Sequence, residues 1–170
     1  MAAPMMEAIG RLFLLLSLSC SAGLAASPAA LSEQALVGTW ECGPTILHGP
    51  DFELVVSERT TRQADGRYTG LTISVITPQG VAPVTNRDAA EGLWRLEGDV
   101  LVSTVQRVRF LSSSDPAFSH ALGQRILDAE REKKSVYRSR ILAFDGTIAR
   151  AIPVDSLYEA AEVESTCRRL

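Results

Sequence analysis

Apolar and polar positions alternate along much of the chain. Leu71, Ile73 and Val75 fall on one side of an extended segment, with Thr72 and Ser74 on the other. Phe52, Leu54 and Val56 repeat the pattern, as do Trp94 and Leu96. A period of two with one apolar face predicts half-buried strands of an antiparallel sheet. Turn dipeptides punctuate these runs. Asp65-Gly66 separates residues 52–60 from 67–76, Gly98-Asp99 separates 92–96 from 100–110, and Asp145-Gly146 separates 136–144 from 147–152. Such pairs supply the positive-φ positions of tight hairpins, so three in succession predict an antiparallel meander. Both faces are mixed in 101–110 and 136–144, and their inward sides stay open.

One segment breaks the period of two. After Ser114-Asp115-Pro116, the residues Phe118, Leu122, Arg125, Ile126, Ala129 and Lys133 recur at spacings of three and four, which predicts a helix. Its apolar stripe is narrow, so it is expected to lie across the sheet or to close one end. A second short helical piece is possible over 156–161. Residues 163–169 read as a last strand.

The amino terminus follows another logic. A weakly positive start is followed by Leu12-Phe13-Leu14-Leu15-Leu16-Ser17-Leu18 and then by small residues. That order is the signature of a secretory signal peptide. The apolar run is well short of the roughly 18 to 20 residues of a spanning helix, and no later run approaches that length. Residues 1–25 are therefore expected to be a signal cut before Ala26. Residues 26–35 would be a flexible or short helical lead-in, and 36–170 one domain. The competing cut lies before Cys20, as in an outer-membrane lipoprotein. The expected location is periplasmic or secreted, with no transmembrane span in the mature protein.

Cysteine usage fits export. Of the three cysteines, Cys20 is either removed or lipidated, which leaves Cys42 and Cys167 near opposite ends of the domain as a disulfide. Pairing would bring the last strand back beside the first, which favours closure into a barrel. The chain holds 17 basic and 20 acidic residues, well mixed in sign. That balance argues against nucleic acid, which favours a concentrated basic surface.

Leu36-Val37-Gly38-Thr39-Trp40-Glu41-Cys42 resembles the Gly-x-Trp signature that opens the first strand of lipocalins and related calycin barrels. Gly92-Leu93-Trp94-Arg95-Leu96-Glu97-Gly98-Asp99-Val100-Leu101 resembles a hairpin of small exported bacterial lipocalin-like proteins. The resemblance implies that Trp40 plugs the closed end of a barrel, that 31–35 form a short helical turn before it, and that a late arginine, Arg138 or Arg140, packs over Trp40. The fold expected is mainly β: an antiparallel meander closing into a small lipocalin-like barrel, with one helix packed on or capping it. An antiparallel sandwich is the competitor.

Candidate chemistry is sparse. Arg107 and Arg109 alternate on one strand face, as do Arg138 and Arg140 on another; converging faces would need an anion, whereas diverging ones form a solvated surface. His48 and His120 have no nucleophile or acid in a recognisable catalytic arrangement, and no metal-ligand spacing is present. The polar connection 45–52, containing His48-Gly49-Pro50-Asp51, either gates a barrel mouth or is an ordinary turn. No catalytic residue, metal or cofactor is expected. The function expected is an exported, non-enzymatic binding module of the bacterial periplasm or envelope for a small apolar or amphipathic ligand, with Trp40, Trp94, Arg138 and Arg140 as ligand-binding residues. The alternative is an envelope protein-interaction module with a filled barrel.

Overall fold

A computed structural model describes residues 30–154 and 163–170. The signal segment, Cys20, most of the lead-in and the short helix expected over 156–161 lie outside the described residues. The short helix α1 (Glu33–Leu36) precedes five long strands: β1 (Gly38–His48), β2 (Phe52–Arg62), β3 (Arg67–Pro78), β4 (Val84–Glu97) and β5 (Val100–Ser113). Helix α2 (His120–Lys133) follows. The shorter strands β6 (Val136–Phe144), β7 (Ile148–Pro153) and β8 (Ser165–Arg169) complete the set. All eight strands pair antiparallel in sequence order, and β8 returns to β1 to close a barrel.

The turn chemistry acts as its residues suggest. Gly66, Gly98 and Gly146 all have positive φ, as tight hairpins demand. The strands themselves run further than the alternation foretold. Residues 84–91 belong to β4, although no apolar face marks them. The alternation of β4 is unbroken in its pairing with β3, and the inward positions here are Asn86, Asp88 and Ala90, which are not the large apolar residues that mark a strand face. The extra residues, Gln106 and Leu111, lie on β5. Likewise β1 continues through Thr45, Ile46 and Leu47, paired with Val56, Val55 and Leu54, past an irregularity between Cys42 and Thr45. The expected connection over 45–52 shrinks to Gly49, Pro50 and Asp51.

The barrel has two unlike ends. At one end all eight strands meet, and the core lies there: Leu36, Trp40, Tyr68, Trp94, Ile141 and Ala149 are buried together, with Leu96, Leu101, Val105, Phe144 and Cys167 packed against them. The Trp40 indole N–H donates to the Leu36 carbonyl at 2.9 Å, and that of Trp94 to the Gln63 carbonyl at 3.0 Å. Glu33 accepts from the Leu96 amide at 2.9 Å, which ties α1 to β4. At the other end, among the described residues, only β1 to β5 continue. The β5–β6 ladder stops at Thr104, paired with Val136, and the β8–β1 ladder stops at the disulfide pair Cys42–Cys167.

Helix α2 takes up the missing wall beside β5. Ser119 caps its start by accepting from the Leu122 amide at 3.2 Å. Gln124 then serves the free edge of β5 in both senses. Its oxygen accepts from the Phe110 amide at 2.9 Å, and its nitrogen donates to the Val108 carbonyl at 3.1 Å. Phe110, only 4% exposed, packs against Phe118 and His120 with ring centroids 5.5 and 5.6 Å away.

Candidate functional site

The register fixes which side chains face inward, because cross-strand partners share a face. Trp94 and Leu96 face the core, so Gly92, Ala90, Asp88 and Asn86 follow on the same side by unbroken alternation along β4. Four inward rows climb from the plug toward the open end. The deepest joins Arg62, Tyr68 and Gly92; next come Thr60, Gly70 and Ala90; then Glu58, Thr72, Asp88 and Phe110; then Val56, Ser74, Asn86 and Ser113. A fifth row at the mouth is apolar: Leu47, Leu54, Ile76 and Val84. Successive rows are two residues apart, or about 7 Å along the strand.

This interior corrects one expectation. Leu71, Ile73 and Val75 were expected to form the buried face of their strand; instead Thr72 and Ser74 face inward and the apolar trio faces out. A strand's faces exchange on a shift of one residue, and here Tyr68 decides the choice. Its ring is 6% exposed in the plug beside Trp94, which puts every even-numbered residue of β3 inside.

The polar rows carry perturbed groups. Burial pushes the Tyr68 hydroxyl up to about 12, helped by Glu58 and Tyr137 and opposed by Arg62. Burial lowers the pKa of Arg62, against the opposing pull of Glu58 and Tyr68. Asp88 is pushed up to about 6, first by burial; the Thr72 hydrogen bond works against this, and the Glu58 and Glu130 carboxylates add to it. Thr60 donates its hydroxyl to Glu58. The carbonyl oxygen of Asn86 is buried without a hydrogen-bond partner among the described residues.

The residues singled out in the sequence fall elsewhere. Trp40 and Trp94 are brought together, in the plug, at 0% and 5% exposure. Arg138 and Arg140 stand on the outer face of β6, opposite Val102 and Val100, and are exposed. They are therefore separated from the two tryptophans by the sheet itself. The arginine over Trp40 is Arg169 instead, its guanidinium carbon 4.6 Å from the ring centroid. It also donates to the carbonyls of Gly146 at 3.0 Å, Val37 at 2.8 Å and Ala35. The last strand, not β6, delivers the side chain because β8 is the strand paired with Trp40.

Arg107 and Arg109 also face outward, but beyond the point where β6 leaves β5, so the four arginines form no single cluster. Arg107 pairs with Glu91 at 2.7 Å, and Arg140 lies 3.7 Å from Asp99. His48 is exposed, 3.7 Å from Glu53. The turn at Gly49–Asp51 lines a shallow depression with Thr77 and Gln79, not a deep mouth. Sequence reasoning missed the polar interior, although a signal existed. Continuing the face of Leu54 and Val56 along β2 leads to Glu58, Thr60 and Arg62, two charges and a hydroxyl where an ordinary core strand is apolar.

These observations define a class: a disulfide-closed, eight-stranded antiparallel barrel with a packed end, an open polar-lined end and one helix as partial wall. A disulfide of this kind belongs to an oxidising, non-cytoplasmic compartment, and no helix among the described residues is long and apolar enough to cross a membrane. No known family model and no curated protein matches the sequence.

Proposed function

We propose that the chain is an exported, non-enzymatic, lipocalin-like binding module that takes a small amphipathic molecule into the open half of its barrel. One observation carries the reading. The inward-facing residues Leu47, Leu54, Val56, Thr72, Ser74, Asn86 and Asp88 keep partial exposure, whereas Trp40, Tyr68 and Trp94 on the same inner surface are buried. An inner wall that solvent reaches, apolar at its rim and polar below, matches a molecule with an apolar and a polar part. The test is a titration of the purified protein with 1-dodecanol, followed by methyl NMR. Saturable shifts at Leu47, Leu54, Ile76 and Val84 are expected. Shifts that fail to saturate, or that map to the outer face, sink the reading.

A second reading, protein interaction at the envelope, draws on the reversed face of β3. Leu71 is 37% exposed, and Ile73 and Val75 on the same outer face keep partial exposure. A photo-crosslinker at position 71, but not at position 132, should then trap one discrete adduct in cells that export the protein. No adduct at either position removes this reading.

A further inference from the structure

The outer wall of the open half carries a block of side chains that the carrier reading leaves unused. Leu71, Ile73 and Val75 stand in line along β3, about 7 Å apart. Each has a short neighbour on an adjoining strand: Ala89 beside Leu71, Ser57 beside Ile73 and Thr85 beside Val75. Short neighbours leave the three aliphatic side chains raised above the sheet. The charges in the same rows have one sign. From β2 to β5 these rows hold Arg59, Arg87 and Arg109 and no acid, in a chain whose net charge is -3. Arg59 is answered by Glu41 at 3.2 Å, and Arg107, one row toward the plug, by Glu91 at 2.7 Å. Arg87 and Arg109 are exposed and have no ion-pair partner among the described residues. Arg109 stands opposite Ala89, and Arg87 lies two residues along β4, so the two occupy diagonal positions on one face. Like charges so placed repel unless an anion joins them.

We infer that this outer face docks on an anionic phospholipid surface, with Leu71, Ile73 and Val75 entering the interface and Arg87 and Arg109 holding lipid phosphates. The inference goes beyond the carrier reading and does not rest on it, since it concerns the outside of the wall. Charge and shape select the occupant. Guanidinium groups match a phosphodiester bidentately, and an apolar stripe beside cations is the pattern of interfacial attachment. A second copy meeting this face with its own would set arginines against arginines. A protein partner anchors its strongest contacts in pockets, and the two depressions found lie elsewhere, at the Gly49–Asp51 turn and beside Glu41 and Arg168. The outside of a closed barrel is convex, and a fluid lipid surface adapts to it.

The test is flotation of the purified mature protein with vesicles of phosphatidylcholine alone or mixed with phosphatidylglycerol. Binding is expected only with phosphatidylglycerol, and it should fall steeply as salt is raised to about 0.5 M, where exposed charges are screened. Arg87→Gln with Arg109→Gln should lower the partition coefficient roughly thirtyfold, the effect of two arginines at an anionic surface. Arg125→Gln with Arg168→Gln removes the same charge from exposed positions elsewhere and should change it little. Ile73→Ser should weaken binding at every salt concentration, because it removes part of the inserted stripe. The buried Trp40 and Trp94 report by their fluorescence that each variant folds. Equal losses from the two arginine pairs, or unaltered binding of Ile73→Ser, overturn the proposal. So does a failure to bind phosphatidylglycerol vesicles, and a discrete protein adduct at position 71 would then assign the face to a protein. None of these outcomes alters the 1-dodecanol test of the barrel interior.

Discussion

The two ends of this barrel are built from the same five strands and follow opposite rules. At the closed end the inner surface is tryptophan, tyrosine and aliphatic side chains, with Trp40 fully buried and Arg169 laid across it. At the open end the same strands turn Glu58, Thr72, Ser74, Asn86 and Asp88 inward and Leu71, Ile73 and Val75 outward. The change comes where β6 and β8 stop and Cys42 meets Cys167. One half is therefore arranged for stability, and the other gives up apolar burial. Because register is continuous along a strand, the packed end dictates which residues the open end must present. The packing of one end and the lining of the other are coupled through the pleat.

The sharpest way to break this comparison is to delete one inward side chain from each end. Trp40→Ala removes a fully buried ring and its bond to Leu36, and should cost about 3 to 5 kcal/mol. Leu54→Ala, on the partly exposed rim, should cost about 1 kcal/mol, since little of its surface is removed from water. Denaturant titration of both variants measures the difference. Equal losses would mean that the open end is packed after all.

The seam between the halves gives the next effect. The disulfide closes a loop of 125 residues and ends the β8–β1 ladder, so it fastens the closed half at its upper edge. Reducing it, or replacing both cysteines by alanine, should lower stability by about 2 to 4 kcal/mol. Hydrogen exchange should report the loss first at β8 and the amino-terminal half of β1. Loss at β3 and β4 first would move the weak point to the open half.

How far the sequence could be read follows the same division. The hairpins at Asp65-Gly66, Gly98-Asp99 and Asp145-Gly146, the disulfide, the returning last strand and the helix after Pro116 were legible, because each rests on local chemistry or simple periodicity. The Gly-x-Trp segment also announced the plug. The open half was not legible. Thr72-Ser74 against Leu71-Ile73-Val75 reads as an ordinary half-buried strand, and only the distant contact of Tyr68 with Trp94 selects the reverse. Asp88 and Asn86 share the face of Trp94 and Leu96 by plain alternation, but Asn86, Asp88, Ala90 and Gly92 give that face no apolar character by which the sequence would mark it. Arg169 was passed over because nothing local distinguishes a terminal arginine; its role needs the carbonyls of Ala35, Val37 and Gly146 gathered by closure.

Asp88 sharpens the comparison through pH. Its folded pKa of about 6 stands above the ordinary value of 3.8, so the folded state holds its proton more tightly than the unfolded chain does. That contribution is fully present below pH 3.8 and is lost as the pH rises through 6. The protein should therefore gain stability between pH 7.5 and pH 5, by about 1 to 2 kcal/mol once partial solvent screening of the group is allowed for. Asp88→Asn should abolish the gain and be the more stable protein at neutral pH. The exposed Asp145, whose pKa is lowered by bonds from Ile148 and Thr147, acts with the opposite sign, and only below the ordinary carboxylate range. It does not confuse this window. A flat profile in the parent protein would place Asp88 in water, not in the barrel wall.

The smallest effect tests whether α2 is truly a wall. Gly123 lies in the first turn of the helix, where alanine is favoured by up to about 1 kcal/mol on propensity alone. A methyl group there would stand 2.5 Å from the Phe110 ring, and that ring is buried between α2 and the barrel. Overpacking of this kind costs about 1 to 3 kcal/mol. Sterics should outweigh propensity, so Gly123→Ala is expected to destabilise the protein by about 1 kcal/mol. The Phe110 amide, held only by Gln124 on this edge, should exchange faster, because lifting the helix breaks that bond. A stabilised variant with a protected Phe110 amide would show the opposite: a helix lying loosely enough beside β5 to accept the methyl, and an open half wider than its register implies.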